Sequence, residues 1–115
     1  MTELKKIAYI FPGQGAQYTG MGQDVFNNSP SARAIFEQAD RSLGFSLSQI
    51  CFNGPDDELV KTINVQPAIV ATSIALLSAA EEYVGSELFP KPYCIAGHSL
   101  GEYTALAAEI GRAHV

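Results

Sequence analysis

Two short apolar runs and three longer periodic stretches divide the chain. Residues 7–11 (Ile-Ala-Tyr-Ile-Phe) end at Pro12-Gly13, and residues 93–96 (Tyr-Cys-Ile-Ala) end at Gly97. Unbroken apolar runs of this length, closed by turn residues, predict strands buried on both faces of a parallel sheet. Between them Ala32, Ile35, Phe36, Ala39 and Leu43 recur at helical spacing, with Ser29-Pro30 as N-cap and first-turn proline and Gly44 as the stop. Phe45 to Phe52 predicts a short helix, Asn53-Gly54-Pro55 a break, and Asp56, Asp57 and Glu58 a further helical turn, since carboxylates complement a helix N-terminus. From Gln66-Pro67 a long helix is expected through Ile69, Val70, Ile74, Leu77, Ala80 and Val84, closed by Gly85; it is apolar almost all round and so central and buried. A polar, proline-bearing link over 86–92 leads to the second strand, and Tyr103, Ala105, Leu106, Ala107 and Ala108 continue as an apolar helix. Strand, helices, strand, helix is the order of an α/β layered fold with parallel strands joined by a right-handed crossover.

Composition narrows the function. With 115 residues and 47% hydrophobic content the chain can bury one modest core. A net charge of −5, with no run of Lys and Arg, argues against nucleic acid as a partner. Cys51 and Cys94 make no disulfide framework, Cys94 falling within the buried second strand where a small apolar residue suits, and a reduced, cytoplasmic setting is expected. The apolar run 7–11 is too brief for the core of a signal peptide. The longest uncharged stretch, 62–80, contains Asn64, Gln66, Pro67, Thr72, Ser73 and Ser78, which favours a buried helix over a membrane span. The acidic triplet 56–58 reads more simply as dipole partners than as metal ligands, and no metal site is expected.

The chemistry concentrates in Gly97-His98-Ser99-Leu100-Gly101, a serine between two glycines where a strand runs into a helix. That spelling suits a nucleophile elbow: the sharp turn forces the serine into strained φ/ψ, and the glycines keep Cβ atoms out of the crowded junction. The first N–H groups of the following helix lack intrahelical partners, so the N–H of Leu100 can donate to an oxyanion formed when Ser99 attacks a carbonyl. The bland alternative is a serine in an ordinary strand-to-helix loop.

A second loop, Phe11-Pro12-Gly13-Gln14-Gly15-Ala16-Gln17, sets two glycines around one glutamine. A dinucleotide fingerprint would need glycine where Tyr18 stands, and a phosphate loop would need lysine where Met21 stands. The remaining functional reading is that a backbone N–H near Gln14 is the second oxyanion donor; the alternative is a tight connection without chemistry. Gln66 could cap the long helix or project into a substrate pocket, and spacing alone favours the cap.

With both loops in view, the chain resembles the N-terminal part of a malonyl-CoA:acyl carrier protein transacylase. The resemblance runs from Lys6 to about Ala108 and rests on 11–17, on Val65-Gln66-Pro67-Ala68 and on Gly97-His98-Ser99-Leu100-Gly101-Glu102-Tyr103-Thr104-Ala105-Leu106, in the family's order. It implies the large subdomain of an α/β-hydrolase-like acyltransferase, without the inserted ferredoxin-like subdomain. It further implies a cytoplasmic, monomeric parent enzyme of fatty acid biosynthesis that needs no cofactor. Ser99 would carry malonyl from malonyl-CoA to acyl carrier protein in a ping-pong reaction, with Gln14 and Leu100 as the oxyanion hole and Gln66 moved from cap to active-site lining. The family's histidine base and its carboxylate-binding arginine both lie downstream of the elbow and are expected to be missing here. The shortened chain is therefore expected to be inactive, with strand edges and apolar surface exposed.

His98 adjoins Ser99, but neighbouring side chains at a strand end point to opposite faces, which makes it a poor base for its neighbour. Arg112 and His114, if the last helix continues, lie roughly 18 to 21 Å along it from Leu100. The rival enzyme is a serine hydrolase with the same elbow, either an esterase or thioesterase of the α/β-hydrolase type or a patatin-like lipase. No His-Gly-Gly-Gly motif supports the first, and Gln14 stands where the second runs richer in glycine. A rival of another class is a fragment with only a structural role. The chain divides into 1–108, the acyltransferase part, and 109–115, Glu-Ile-Gly-Arg-Ala-His-Val. Those seven residues can be spelled by a common sequencing adapter and are expected to be non-native.

Overall fold

The computed structural model describes residues 6–113, with side chains through Ile110. Two strands, β1 (Ala8–Phe11) and β2 (Cys94–Gly97), pair in parallel, and between them run α1 (Gln23–Asn28), α2 (Pro30–Leu43), α3 (Leu47–Asn53), α4 (Asp56–Leu59) and α5 (Thr62–Val84); α6 (Gly101–Ala113) follows β2. The α/β class and the parallel pairing agree with the sequence pattern. In register, Tyr9 opposes Ile95 and Phe11 opposes Gly97.

The long helix α5 separates two apolar clusters. On one side Phe36 of α2, Leu47, Cys51 and Phe52 of α3 and Leu59 of α4 pack with Met21 against Ala68, Ala71 and Ala75. Phe26, Phe36 and Phe52 meet edge-on, with centroids 5.1 to 6.0 Å apart, a favoured arrangement for aromatic quadrupoles. On the other side Ile74 and Leu77 meet Tyr9, Phe11 and Ile95 of the sheet, with Ala105 and Ala108 of α6. By length and composition α5 could cross a membrane; here Val65, Ala68, Ile69, Ala71 and Ala75 are buried within the fold.

The helix ends show how local and distant groups share the capping. Ser29 accepts the Ala32 N–H at 3.2 Å, as expected of an N-cap, and donates to Glu82 Oε1 of α5 at 2.7 Å. Asp40, near the end of α2, accepts both the N–H and the hydroxyl of Ser48 at 2.9 and 2.6 Å, satisfying an orphan donor in the first turn of α3. The carboxylates of 56–58 open α4: Asp56 accepts from the Thr19 hydroxyl, and Glu58 pairs with Lys61 at 2.8 Å, which lowers the Glu58 pKa through that hydrogen bond and the lysine charge.

Three expectations need correction. The strands are covered on one face only: Tyr9, Phe11 and Ile95 point to α5 and α6, whereas Ala8, Ile10, Cys94 and Ala96 are exposed, because both helices pack on the same side of a two-stranded sheet. Cys94 is accordingly a surface thiol. And α5 begins at Thr62, not at Gln66-Pro67, with Pro67 inside the helix. Its missing N–H costs the Ile63 carbonyl one bond, and packing of Val65, Ala68 and Ile69 offsets that loss. The short helix α1 had no sequence forecast.

Candidate active site

The strand-to-helix junction expected from the sequence is present. β2 ends at Gly97 and α6 begins at Gly101, and in the turn between them Ser99 has φ 54°, the only positive φ on a non-glycine residue among those described. A left-handed conformation costs an L-residue roughly 1–2 kcal/mol, so the surrounding structure must impose it. It does so with backbone hydrogen bonds: His98 N–H to the Phe11 carbonyl at 3.1 Å, Gly101 N–H to the His98 carbonyl at 2.9 Å and Glu102 N–H to the Ser99 carbonyl at 2.9 Å. A Cβ on Gly97 would overlap the Gly101 carbonyl, and a Cβ on Gly101 would overlap that of Phe11.

Gly101, Glu102 and Tyr103 spend their N–H groups within the turn, while Leu100 N–H donates to no described residue. The loop after β1 supplies a matching group. Ala16 N–H donates to the Gly13 carbonyl at 3.3 Å, closing a turn in which Gln14 is second and Gly15, at φ 113°, is third. Such a turn makes no use of its second N–H, and that of Gln14 also has no acceptor among the described residues.

Ser99, Leu100, Gln14 and Gln66 line one cleft of about 670 Å³. The structure thus brings together all four residues singled out from the sequence. Gln66 reaches the cleft because it lies one turn inside α5, where Lys61 holds the N-cap position, so the capping role favoured by spacing does not apply. Pro67 and Val70 of α5 and Glu102 and Tyr103 of α6 complete the walls. Sequence reasoning did not single these out, although Val70 follows Gln66 by four residues and Glu102 and Tyr103 follow Ser99 by three and four. Helical spacing would have found them once the helix boundaries were known.

Among the described lining residues Glu102 carries the one charge, and none is histidine. His98 does not line the cleft; its carbonyl and ring lie over Gly13. The side chain of Arg112 and all of His114 lie outside the described residues. Cys51 is remote from this chemistry in the helical core, where burial pushes its thiol pKa up to about 11, the Thr72 hydroxyl opposing and the Asp40 charge assisting.

A serine exposed at a strand–helix junction, on a cleft also lined by two residues with unengaged N–H groups, suits attack of its hydroxyl on a carbonyl and donation by such N–H groups to the oxyanion that results. Acyl transfer and hydrolysis share that geometry. The chain belongs to the acyl transferase domain family, which matches residues 8–111. It is 46% identical over 105 residues to the malonyl CoA-acyl carrier protein transacylase of Bacillus subtilis (strain 168), covering 91% of this chain and 32% of that protein. The crystal structure of acyl-carrier-protein-S-malonyltransferase from Bartonella henselae matches with a TM-score of 0.82 and 44% identity, over 90% of this chain and 33% of that one. A malonyl-transacylase in complex with a type II PKS acyl-carrier protein matches with a TM-score of 0.79 and 38% identity, over 90% and 32%. The chain spans a quarter to about a third of the length of the curated relatives it matches.

Proposed function

We propose that the protein carrying this chain transfers a malonyl group from malonyl-CoA to acyl carrier protein through an ester on Ser99, in fatty acid or polyketide synthesis. The observation that carries the reading is the left-handed Ser99 beside the free N–H groups of Leu100 and Gln14 in one cleft. Relatives named for the same transfer support the choice of donor and acceptor over water.

Ser99 Oγ attacks the thioester carbonyl and its proton passes to a base; the tetrahedral oxyanion takes the two N–H groups, and coenzyme A leaves as its thiol. The carrier's thiol then attacks the Ser99 ester and the serine hydroxyl is restored. No cofactor is needed, since the thioester is already activated. A neutral serine hydroxyl is a weak nucleophile at pH 7, and the base is worth roughly 10² to 10⁴-fold. In this reading it comes from outside the described residues, as does the cation that reads the malonyl carboxylate, and the parent is a cytoplasmic monomer.

Incubation of the full-length protein with malonyl-CoA and no acceptor should leave a malonyl mass increment on the peptide containing Ser99, and Ser99→Ala should abolish both that label and transfer. Residues 1–115 alone should not turn over. Label on another residue, or undiminished transfer by the alanine variant, would overturn the assignment.

A further inference from the structure

We propose that Gly13 is a positioning residue for this reaction: its bare Cα sits on the His98 carbonyl and locks the Gln14 N–H in step with the elbow. The inference rests on the acyl-transfer reading above. Gly13 is buried and, unlike Gly15, Gly20 and Gly22, lacks a positive φ. Its backbone would therefore accept alanine, and only space forbids a side chain. A Cβ built there would stand 2.5 Å from the His98 carbonyl oxygen and 3.4 Å from His98 Nδ1. The first distance is shorter than any ordinary contact, and its partner is backbone that cannot swing aside.

That carbonyl belongs to the residue before the nucleophile and already accepts the Gly101 N–H at 2.9 Å. It is thus pinned between the start of α6 and the glycine loop. The neighbouring Phe11 carbonyl accepts His98 N–H at 3.1 Å, which ties the end of β1 to the same residue. Gly13 is also the first residue of the turn that aims Gln14, through its carbonyl to Ala16 N–H. One residue therefore both seats the loop on the elbow and begins the turn that presents the donor. A methyl group would push the loop from the elbow, moving Gln14 N–H relative to Leu100 N–H while leaving Ser99, Leu100 and the α5 wall in place.

The test is steady-state malonyl transfer by the full-length protein carrying Gly13→Ala, with Ser99→Ala and Gly44→Ala in parallel. Loss of one oxyanion donor lowers kcat by about 10² to 10³-fold, and a fall of that order is expected for Gly13→Ala, with KM for malonyl-CoA within about twofold because the donor acts on the transition state. Gly44, at the left-handed end of α2 with open space around it, loosens the fold without touching the cleft, and Gly44→Ala should keep the parent's kcat. If Ser99→Ala is inactive while Gly13→Ala keeps the parent's kcat, the positioning role is overturned and the acyl-enzyme reading stands. A rise in KM at constant kcat would also overturn it, as would an unfolded Gly13→Ala, since the contact would then be holding the fold and not the donor. Undiminished transfer by Ser99→Ala would overturn both.

Discussion

The two sides of α5 contrast in how far each is closed. Towards α2 and α3 the helix meets a sealed interior in which Phe36, Leu47, Cys51 and Ala75 are fully buried. Towards the sheet it covers one face, and the opposite face presents Ile10 at 76% exposure, with Ala8, Cys94 and Ala96 also open. The cleft with Ser99 belongs to the open side, but one of its walls leans on the closed one: Gln66 and Val70 are held by a helix whose other face is packed into the aromatic cluster. The helical side thus supplies stability, and the sheet side supplies the junction that exposes Ser99.

The contrast breaks most directly at its largest expected effect. Phe36→Ala should cost about 3–5 kcal/mol, from lost transfer energy and the cavity left among Phe26 and Phe52. Ile10→Ala should change stability by less than about 0.5 kcal/mol. Urea midpoints measure both. An Ile10 cost equal to that of Phe36 would mean that the outer face of the sheet is covered in solution.

Next in size is a pH effect confined to the closed side. The Cys51 thiol ionises near 9.0 unperturbed and near 11 when folded. Between these values the unfolded chain sheds a proton that the folded chain keeps. The stabilisation is therefore complete below about pH 9 and declines as pH rises towards about 11, by up to about 3 kcal/mol. Melting curves across that window should show the decline, and Cys51→Ala should flatten it. A slope unchanged in the variant would assign the titration to another group.

The smallest effect lies at the elbow. Ser99→Gly relieves the left-handed strain and should be more stable than Ser99→Ala by about 1 kcal/mol, although both remove the hydroxyl. Equal melting temperatures would show that Ser99 relaxes out of its positive φ in solution.

Much of this was legible along the chain. Ser29-Pro30 and Gly44 bracket α2 because capping and φ preference act within a few residues, and Gly97-x-Ser99-x-Gly101 names the elbow because its crowding is also local. The start of α5 was misplaced for the complementary reason. Proline at position 67 reads as a first-turn residue, but burial of Val65, Ala68 and Ile69 carries the helix a turn further back to Thr62. Cys94 was misplaced because an apolar run shows that a strand can be covered, not how many faces its neighbours cover.

By itself the sequence determined where the strands and most helices lie and which serine is set in a strained turn, properties of contacts between near neighbours. Only the tertiary structure decided that Gln14, Gln66 and Ser99 share one cleft, that Glu82 and Asp40 complete the ends of helices far from or beyond their own, and that His98 lies over Gly13. The cleft and the His98–Gly13 contact depend on segments brought together by the parallel pairing of β1 with β2 across five intervening helices, and the helix ends depend on the packing of α2 against α3 and α5, juxtapositions written in no local pattern.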